Sequence, residues 1–497
     1  MNAKKKTLWT AVWYLFLFAF LYIWFTRVHP LVVFDADDWT YLPLDREAWP
    51  ILGEWNPAKV FPEVFMPLCS TVGCYLLMPL IRDYITVMTV THGFVVSVFI
   101  TVYLYHLAQL LKRLFRLDSW SEFYAAGLFL VLHFLALRSR ETGNTYLLYS
   151  KDITCYYNYL IPGLLNGSIV CWIIRNAAFE EFLHSDRYGW KGLFFLAVFM
   201  AIFSNLVDSV ILAVYAGSVL LVDFLKQLKK PDFREYLKSH TFCLGIFGTW
   251  LISAVFELSG GRAVASASGS LFSRLRDCAY CLLQVLKSCN PLFLVLCAVI
   301  VAAALAAYLR SRETDRLLPD LCLIFCVGIA AMVFCIVLLC AVVDPAYMYR
   351  AEYLFPIFFY CLMPVMLCAG YLLHKFPKLL IIMPMLLMVL ASEADTKPET
   401  FLESNTGNLD AGVSADISRD LIAQVVSACE AGEKEMVLYV PLWDTENNWP
   451  HATSLMGRIR YALYAHDIID YPIAITVVPC AEINEAHNLE TPAIYPG

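Results

Sequence analysis

Long apolar runs separated by short polar stretches fill the chain from its first residues to residue 391. They fall at roughly 8–26, 84–109, 121–137, 159–175, 191–204, 208–225, 241–257, 291–309, 317–342, 353–373 and 377–391, most of them close to the roughly 20 residues a helix needs to cross bilayer hydrocarbon. A backbone in lipid must satisfy its own hydrogen bonds, and the runs lack the period-two alternation of a barrel strand, so each is expected to be a helix. The pattern predicts an all-α polytopic membrane protein with about eleven crossings.

Three stretches depart from it. Residues 65–81, FMPLCSTVGCYLLMPLI, are apolar but short, interrupted by Pro67 and Pro79 and followed by Arg82 and Asp83, so they are expected to form an interfacial or re-entrant helix on the outer face. Residues 270–287 read as an amphipathic outer helix. After residue 391 the chain turns polar, then alternates SADISRDLIAQVVSACEAG, EMVLYVPL, HATSLMGRIRYALYAH and YPIAITVVP, a helix–strand–helix–strand order that predicts a small C-terminal α/β domain over 392–497. It follows a transmembrane unit of residues 1–391 whose first outer loop is 27–83.

Composition agrees: of 497 residues 60% are hydrophobic and only 16% charged, far from the balance of a soluble domain. Charge then orients the chain. Lys4–Lys6, Lys112, Arg113, Arg116, Lys226, Lys229, Lys230, Arg310, Arg312, Arg316, Lys375 and Lys378 fall on one side, which the positive-inside rule makes cytoplasmic. The N-terminus is then inside, and the 27–83 loop and C-terminal domain are extracytoplasmic. The first run has a basic start like a signal peptide, but it is long and lacks a small-residue cleavage site, so it is expected to be retained.

Many of the 17 cysteines, such as Cys322, Cys326, Cys335, Cys340, Cys361 and Cys368, sit within apolar runs and read as small hydrophobes rather than a disulfide framework. Cys278 and Cys281 form a C-x-x-C without a second pair or histidine cluster, weak grounds for zinc or redox chemistry. A net charge of −7 and the absence of an outward basic patch argue against nucleic acid.

Candidate chemistry gathers in the outer loops. Phe34–Glu63 sets Asp35, Asp37, Asp38, Glu47, Glu54 and Glu63 among Trp39, Tyr41, Trp49 and Trp55. The next outer loop carries Arg138 and Arg140 with Tyr156, Tyr157 and Tyr159; these are either interfacial caps and an aromatic belt or a phosphate or sugar contact. The tight turn SNLVDS places Asp208 near the outer face, either as an exposed residue beyond a Ser204 or Asn205 cap or as a second carboxylate of the site. Gly260, Gly261 and Arg262 offer a weak anion contact. Arg350 precedes a helix, where its sign opposes the macrodipole, so it serves an anion or an ion pair with Glu352 or Asp344. In the C-terminal domain Trp443, Asp444, Trp449, His451 and His466 read as an exposed set able to hold sugar rings.

Nucleotide sugars are not at hand on an outer face, so sugar transfer there draws on polyprenyl-phosphate donors. It needs a base for the acceptor hydroxyl and cations or amides for the departing phosphate. Asp38 and Asp37 are candidates for the base and its helper, and Lys59, Arg138, Arg262 and Arg350 for the phosphate.

An acidic pair directly after the first span, Asp37 and Asp38 in DADDW, resembles the C-type (GT-C) glycosyltransferases, and DDWTYL followed by EWNPAKVFPE is similar to bacterial O-antigen glucosyltransferase-like members. The resemblance implies a GT-C-like fold in a bacterial plasma membrane and inverting transfer to a cell-surface glycan or lipid-linked acceptor. It also implies an aspartate of the first loop as base or acceptor-positioning group. Asp37 and Asp38 match; Arg262 and Arg350 correspond only as outward arginines, and Lys59 stands where an arginine is expected. Trp39, Glu54, Trp55 and Asp208 complete the expected binding set. D-A-D-D has the oxygen ligands for Mg²⁺ or Mn²⁺, but users of such donors in this family generally act without a metal, so no cofactor is expected. Rival readings are a transporter or flippase of lipid-linked glycan, against which no repeated halves are found, and a non-catalytic envelope scaffold.

Overall fold

A computed structural model describes residues 3–34, 36–43, 58–137, 152–176, 179–228, 233–258, 270–311, 316–394, 410–442 and 456–489. Helices dominate. They are α1 (Ala3–Ile23), α2 (Ala36–Tyr41), α3 (Val60–Ile81), α4 (Tyr84–Phe115), α5 (Ser119–Leu135), α6 (Ile153–Arg175), α7 (Phe179–His184), α8 (Tyr188–Ile202) and α9 (Leu206–Gln227). There follow α10 (Phe233–Ser239), α11 (Thr241–Leu258), α12 (Leu271–Ser288), α13 (Pro291–Ser311), α14 (Leu317–Val343), α15 (Phe355–Lys375) and α16 (Met383–Ala394).

Among the described residues eight helices are long and apolar enough to cross a membrane, or nine if α10 and α11, bent by 73°, form one span. Seven of the expected runs lie among the eight, and α11 carries another. The remaining three correspond to the shorter apolar helices Ser119–Leu135, Tyr188–Ile202 and Met383–Ser392.

The eighth long helix, α3, corrects the reading of residues 65–81 as a short stretch broken by prolines: it is one continuous helix of 22 residues through both Pro67 and Pro79, packed against α4. A proline inside a helix removes one hydrogen bond and crowds the preceding turn, a cost that side-by-side packing offsets. Here Phe61 and Phe65 meet Phe99, the Ser70 hydroxyl lies 3.2 Å from His92 Nε2, and Gly73 allows contact with Thr91 that a Cβ would block. Arg82, in the left-handed region at φ 58°, ends α3, and Asp83 starts α4 by accepting from Thr86 N at 3.1 Å.

Similar caps start other helices: Asp118 accepts from Ser121 N and Asn205 from Val207 N, both at 2.8 Å. Lys112 and Arg113 occupy the last turn of α4, where cations suit the dipole. Helices α6, α9 and α15 are the most buried spans and α13 the least. Tyr103, Tyr156, Tyr157, Phe355, Phe359 and Tyr360 fill the centre.

The C-terminal unit has α17 (Ala411–Glu430), β1 (Glu435–Pro441), α18 (Ile459–Ala465), β2 (Ala474–Cys480) and α19 (Ala481–Ala486). Its strands pair in parallel, Glu435 opposite Ala474 through Pro441 opposite Cys480, so the chain between them crosses over through α18. This unit seats on the α3–α4 turn. Arg419 Nη2 meets Asp83 at 2.9 Å, Tyr84 Oη lies 2.8 Å from His466 Nδ1, and Ser418 Oγ donates to the Val33 carbonyl at 3.2 Å.

Candidate functional site

Beside that seat the segment after α1 folds back on the start of α6. Val32 bridges in parallel to Asp152, and Asp38 on the short helix α2 binds both pieces. Asp38 Oδ2 accepts from Phe34 N at 2.8 Å and Ile153 N at 3.4 Å; Oδ1 accepts from Thr154 N at 2.7 Å and Thr154 Oγ1 at 2.6 Å. Asp38 is wholly buried, and its pKa is raised to about 7, by burial first and then by Asp152, against the lowering effect of the Thr154 and Phe34 hydrogen bonds. It is a clamp. Asp37, on the same helix, is half-exposed.

Asp152 caps α6, accepting from Cys155 N at 2.8 Å. From Cys155 the contacts continue to Glu352, whose Oε1 accepts from the thiol at 3.6 Å and from Arg350 Nη2 at 2.8 Å. Glu352 in turn acts electrostatically on Asp208. Asp38, Asp152, Glu352 and Asp208 are thus four carboxylates at or near zero exposure along one contiguous path. Such a group holds its charges only with partners or with protons.

Arg350 is the cation of the group. Its guanidinium packs 5.9 Å from the Tyr159 ring centroid and 5.4 Å from that of Tyr347, and no described residue engages its Nη1. The ion pair with Glu352 is the one the sequence left open, while Asp344 instead caps Ala346 N at 2.9 Å.

Asp208 departs from its expected surface alternative. Asn205 does cap α9, but Asp208 is fully buried, and among the described residues neither carboxylate oxygen has a hydrogen-bond partner. Gly163 makes this approach possible: a Cβ there would lie 2.5 Å from Phe355 Cδ1 and 3.0 Å from Asp208 Oδ1.

The structure therefore brings Asp38, Asp208 and Arg350 together and adds Asp152 and Glu352, which sequence reading did not place in the site. One local signal pointed to Asp152: an aspartate three residues before a helical backbone amide is a cap. Two π-helical turns, Trp24–Val28 and Tyr156–Leu160, flank the clamp, with Phe25 and Tyr156 edge-to-face at 5.5 Å; such turns often accompany function.

Other expectations resolve differently. Trp39 is no sugar platform here, being fully buried and stacked on Tyr84 with centroids 6.0 Å apart. His466, expected among exposed aromatics, is buried against Tyr84. Lys59 is half-buried at the start of α3 with φ 58°. Glu54, Trp55, Arg138 and Arg262 lie outside the described residues, as do Trp443, Asp444, Trp449 and His451. Cys278 and Cys281 are buried, unbridged thiols on α12. Among the described residues no group of three or more His, Cys, Asp or Glu side chains is arranged to hold a metal.

Neither a family model, nor a curated protein, nor a solved structure matches this chain.

Proposed function

We propose that this chain is an integral membrane glycosyltransferase of GT-C-like architecture, moving a sugar from a polyprenyl-phosphate donor to a glycan or lipid-linked acceptor. The observation that carries this reading is the mounting of the acidic pair: Asp38 anchors α2 with four hydrogen bonds and so fixes the position of Asp37, the half-buried carboxylate beside it. Of the two, Asp37 takes the part of base and Asp38 that of positioning residue.

In the reaction the acceptor oxygen forms a bond to the anomeric carbon on the face opposite the phosphate while its proton passes to Asp37. The anomeric carbon–oxygen bond breaks, and its electron pair leaves with the polyprenyl phosphate, inverting the centre. Arg350, with Nη1 unengaged, is the guanidinium suited to that phosphate.

We further propose a bacterial plasma-membrane location with about eleven crossings, the N-terminus cytoplasmic and the C-terminal unit extracytoplasmic. In that count α3 enters from the outer face without traversing, in keeping with the packing of Phe61 on Phe99, halfway along α4.

The test compares surface-glycan linkages and lipid-linked intermediates in wild-type, deletion, Asp37→Asn and Arg350→Met cells at matched protein level. Loss of one sugar branch in all three altered strains, with accumulation of its lipid-linked donor, is the expected result. A deletion phenotype that Asp37→Asn does not share removes Asp37 as the base.

A second reading has its own observation. Asp208, buried and without a hydrogen-bond partner among the described residues, suits a group that carries a proton, which favours proton-coupled movement of a lipid-linked glycan. Proteoliposomes separate the two: a transferase forms product without a pH gradient, whereas a transporter moves its lipid with one and stops in Asp208→Asn.

A further inference from the structure

At the end of the bundle opposite Asp38, α4, α6 and α8 enclose a groove of about 640 Å³. The start and end of α6 are separated by about 33 Å at 1.5 Å per residue, so this groove is distinct from the acidic path. Its walls are apolar, with Phe99 and Val102 from α4, Leu165 and Trp172 from α6, and Leu193 and Phe194 from α8. It opens on the outside of the bundle, where Val102, Trp190 and Leu193 are 41%, 69% and 59% exposed.

The lining also includes Arg113, Arg175 and Arg187, one from each helix end. Helix ends explain only part of this. Arg113 and Arg175 lie in the last turns of α4 and α6, where cations are favoured, but Arg187 directly precedes α8, where the macrodipole disfavours a cation and favours an anion. No described carboxylate pairs with any of the three, although neighbouring cations at this end are paired: Lys112 with Glu122 at 2.6 Å and Lys226 with Asp320 at 3.2 Å. Arg175 lies 6.0 Å from the Tyr105 ring centroid, and next to Tyr105 the His106 Nδ1 is buried without a hydrogen-bond partner among the described residues.

Three guanidiniums, a helix N-terminus and an unsatisfied imidazole nitrogen at the end of an apolar trough call for an anion attached to hydrocarbon. We infer that this groove is a binding site for an anionic phospholipid of the surrounding bilayer. The phosphodiester takes forked hydrogen bonds from the arginines, and an acyl chain lies along Val102, Leu165 and Phe194. A soluble phosphate would leave the trough unfilled, and a zwitterionic lipid would bring its own cation towards the arginines.

The experiment uses the full chain, delipidated in neutral detergent. Native mass spectrometry measures binding of phosphatidylglycerol, phosphatidylcholine and inorganic phosphate to wild type, Arg113→Gln/Arg187→Gln and Lys226→Gln. The expected result is at least tenfold tighter binding of phosphatidylglycerol than phosphatidylcholine by wild type and Lys226→Gln, with the preference lost in the double variant. Equal binding of the two lipids, or an unchanged preference in the double variant, overturns the site. Inorganic phosphate competing as well as the lipid makes it a free-anion site and overturns the lipid assignment.

Both substituted arginines are exposed, and the lipid-free melting midpoint reports whether the variant folds. Should it not fold, phosphatidylglycerol with brominated acyl chains decides on folded protein. Its quenching of tryptophan emission should shrink in Trp172→Phe/Trp190→Phe relative to wild type. Quenching unaffected by that change overturns the proposal.

Discussion

Asp38 and Thr154, 116 residues apart in sequence, are joined by two hydrogen bonds to one carboxylate oxygen, at 2.7 Å from the backbone amide and 2.6 Å from the hydroxyl. The pair ties the segment after α1 to the start of α6. Asp38→Asn turns an amide NH₂ towards donors that need an acceptor and should cost about 1–3 kcal/mol, lowering the melting midpoint. Thr154→Val removes only the hydroxyl bond and should cost about 1 kcal/mol, and the double variant should cost less than the two singles together.

The same burial sets the acid–base behaviour of Asp38. Its folded pKa of about 7 lies above the roughly 3.9 of an unfolded chain, so the folded state binds the extra proton between those values. Its contribution to stability is therefore complete below about pH 4 and lost as pH rises through 7. Infrared difference spectra of wild type against Asp38→Asn should contain a protonated-carboxyl band at pH 5.5 that fades by pH 8.5; a band that persists removes Asp38 as its source.

Asp37→Asn should leave melting within about 0.5 kcal/mol of wild type, as for surface changes, while reducing sugar transfer by roughly 100-fold or more, the usual scale of a general base. The measurement is initial rate with a defined polyprenyl-phosphate sugar beside thermal unfolding in the same detergent.

Docking of the C-terminal unit should weaken in acid. Burial pushes His466 down to about 4, below the roughly 6.5 of a free imidazole, so the released state binds the proton first and docking is lost as pH falls from about 6.5 towards 4. Although burial raises the Asp83 carboxyl, the Arg419 and Thr86 hydrogen bonds outweigh it and hold its pKa low, so its contribution persists until lower pH. Hydrogen exchange in α17 should therefore gain an opening population between pH 7 and pH 5. His466→Gln should flatten that dependence, and Asp83→Asn should raise exchange at both values.

Gly163→Ala should destabilise by about 1–3 kcal/mol, because the new methyl overlaps Phe355 and crowds Asp208. Gly189→Ala, on α8 with nothing within 4 Å of the added carbon, should be neutral or gain up to about 1 kcal/mol from helix propensity. Paired melting curves check both.

The sequence by itself determined the elements whose causes are local. Apolar runs foretold α1, α4, α5, α6, α8, α9, α11, α13, α14, α15 and α16, since a chain in lipid has few other ways to satisfy its backbone. Period-two and period-3.6 patterns after residue 410 placed α17, β1, α18 and β2, and the turn SNLVDS announced the Asn205 cap. Tertiary structure alone decided what depends on neighbours distant in the chain. Pro67 and Pro79 read as breaks, yet α3 runs through them because α4 supports its whole length. Trp39, read as a binding residue, and His466, read as part of an exposed aromatic set, are both buried where α4 meets the C-terminal unit. Asp152 and Glu352, far apart in sequence, join Asp38 and Asp208 only when α2, α6, α9 and the turn before α15 converge. Composition records which charges a chain carries, whereas burial and pairing, which set their energies, belong to the folded arrangement.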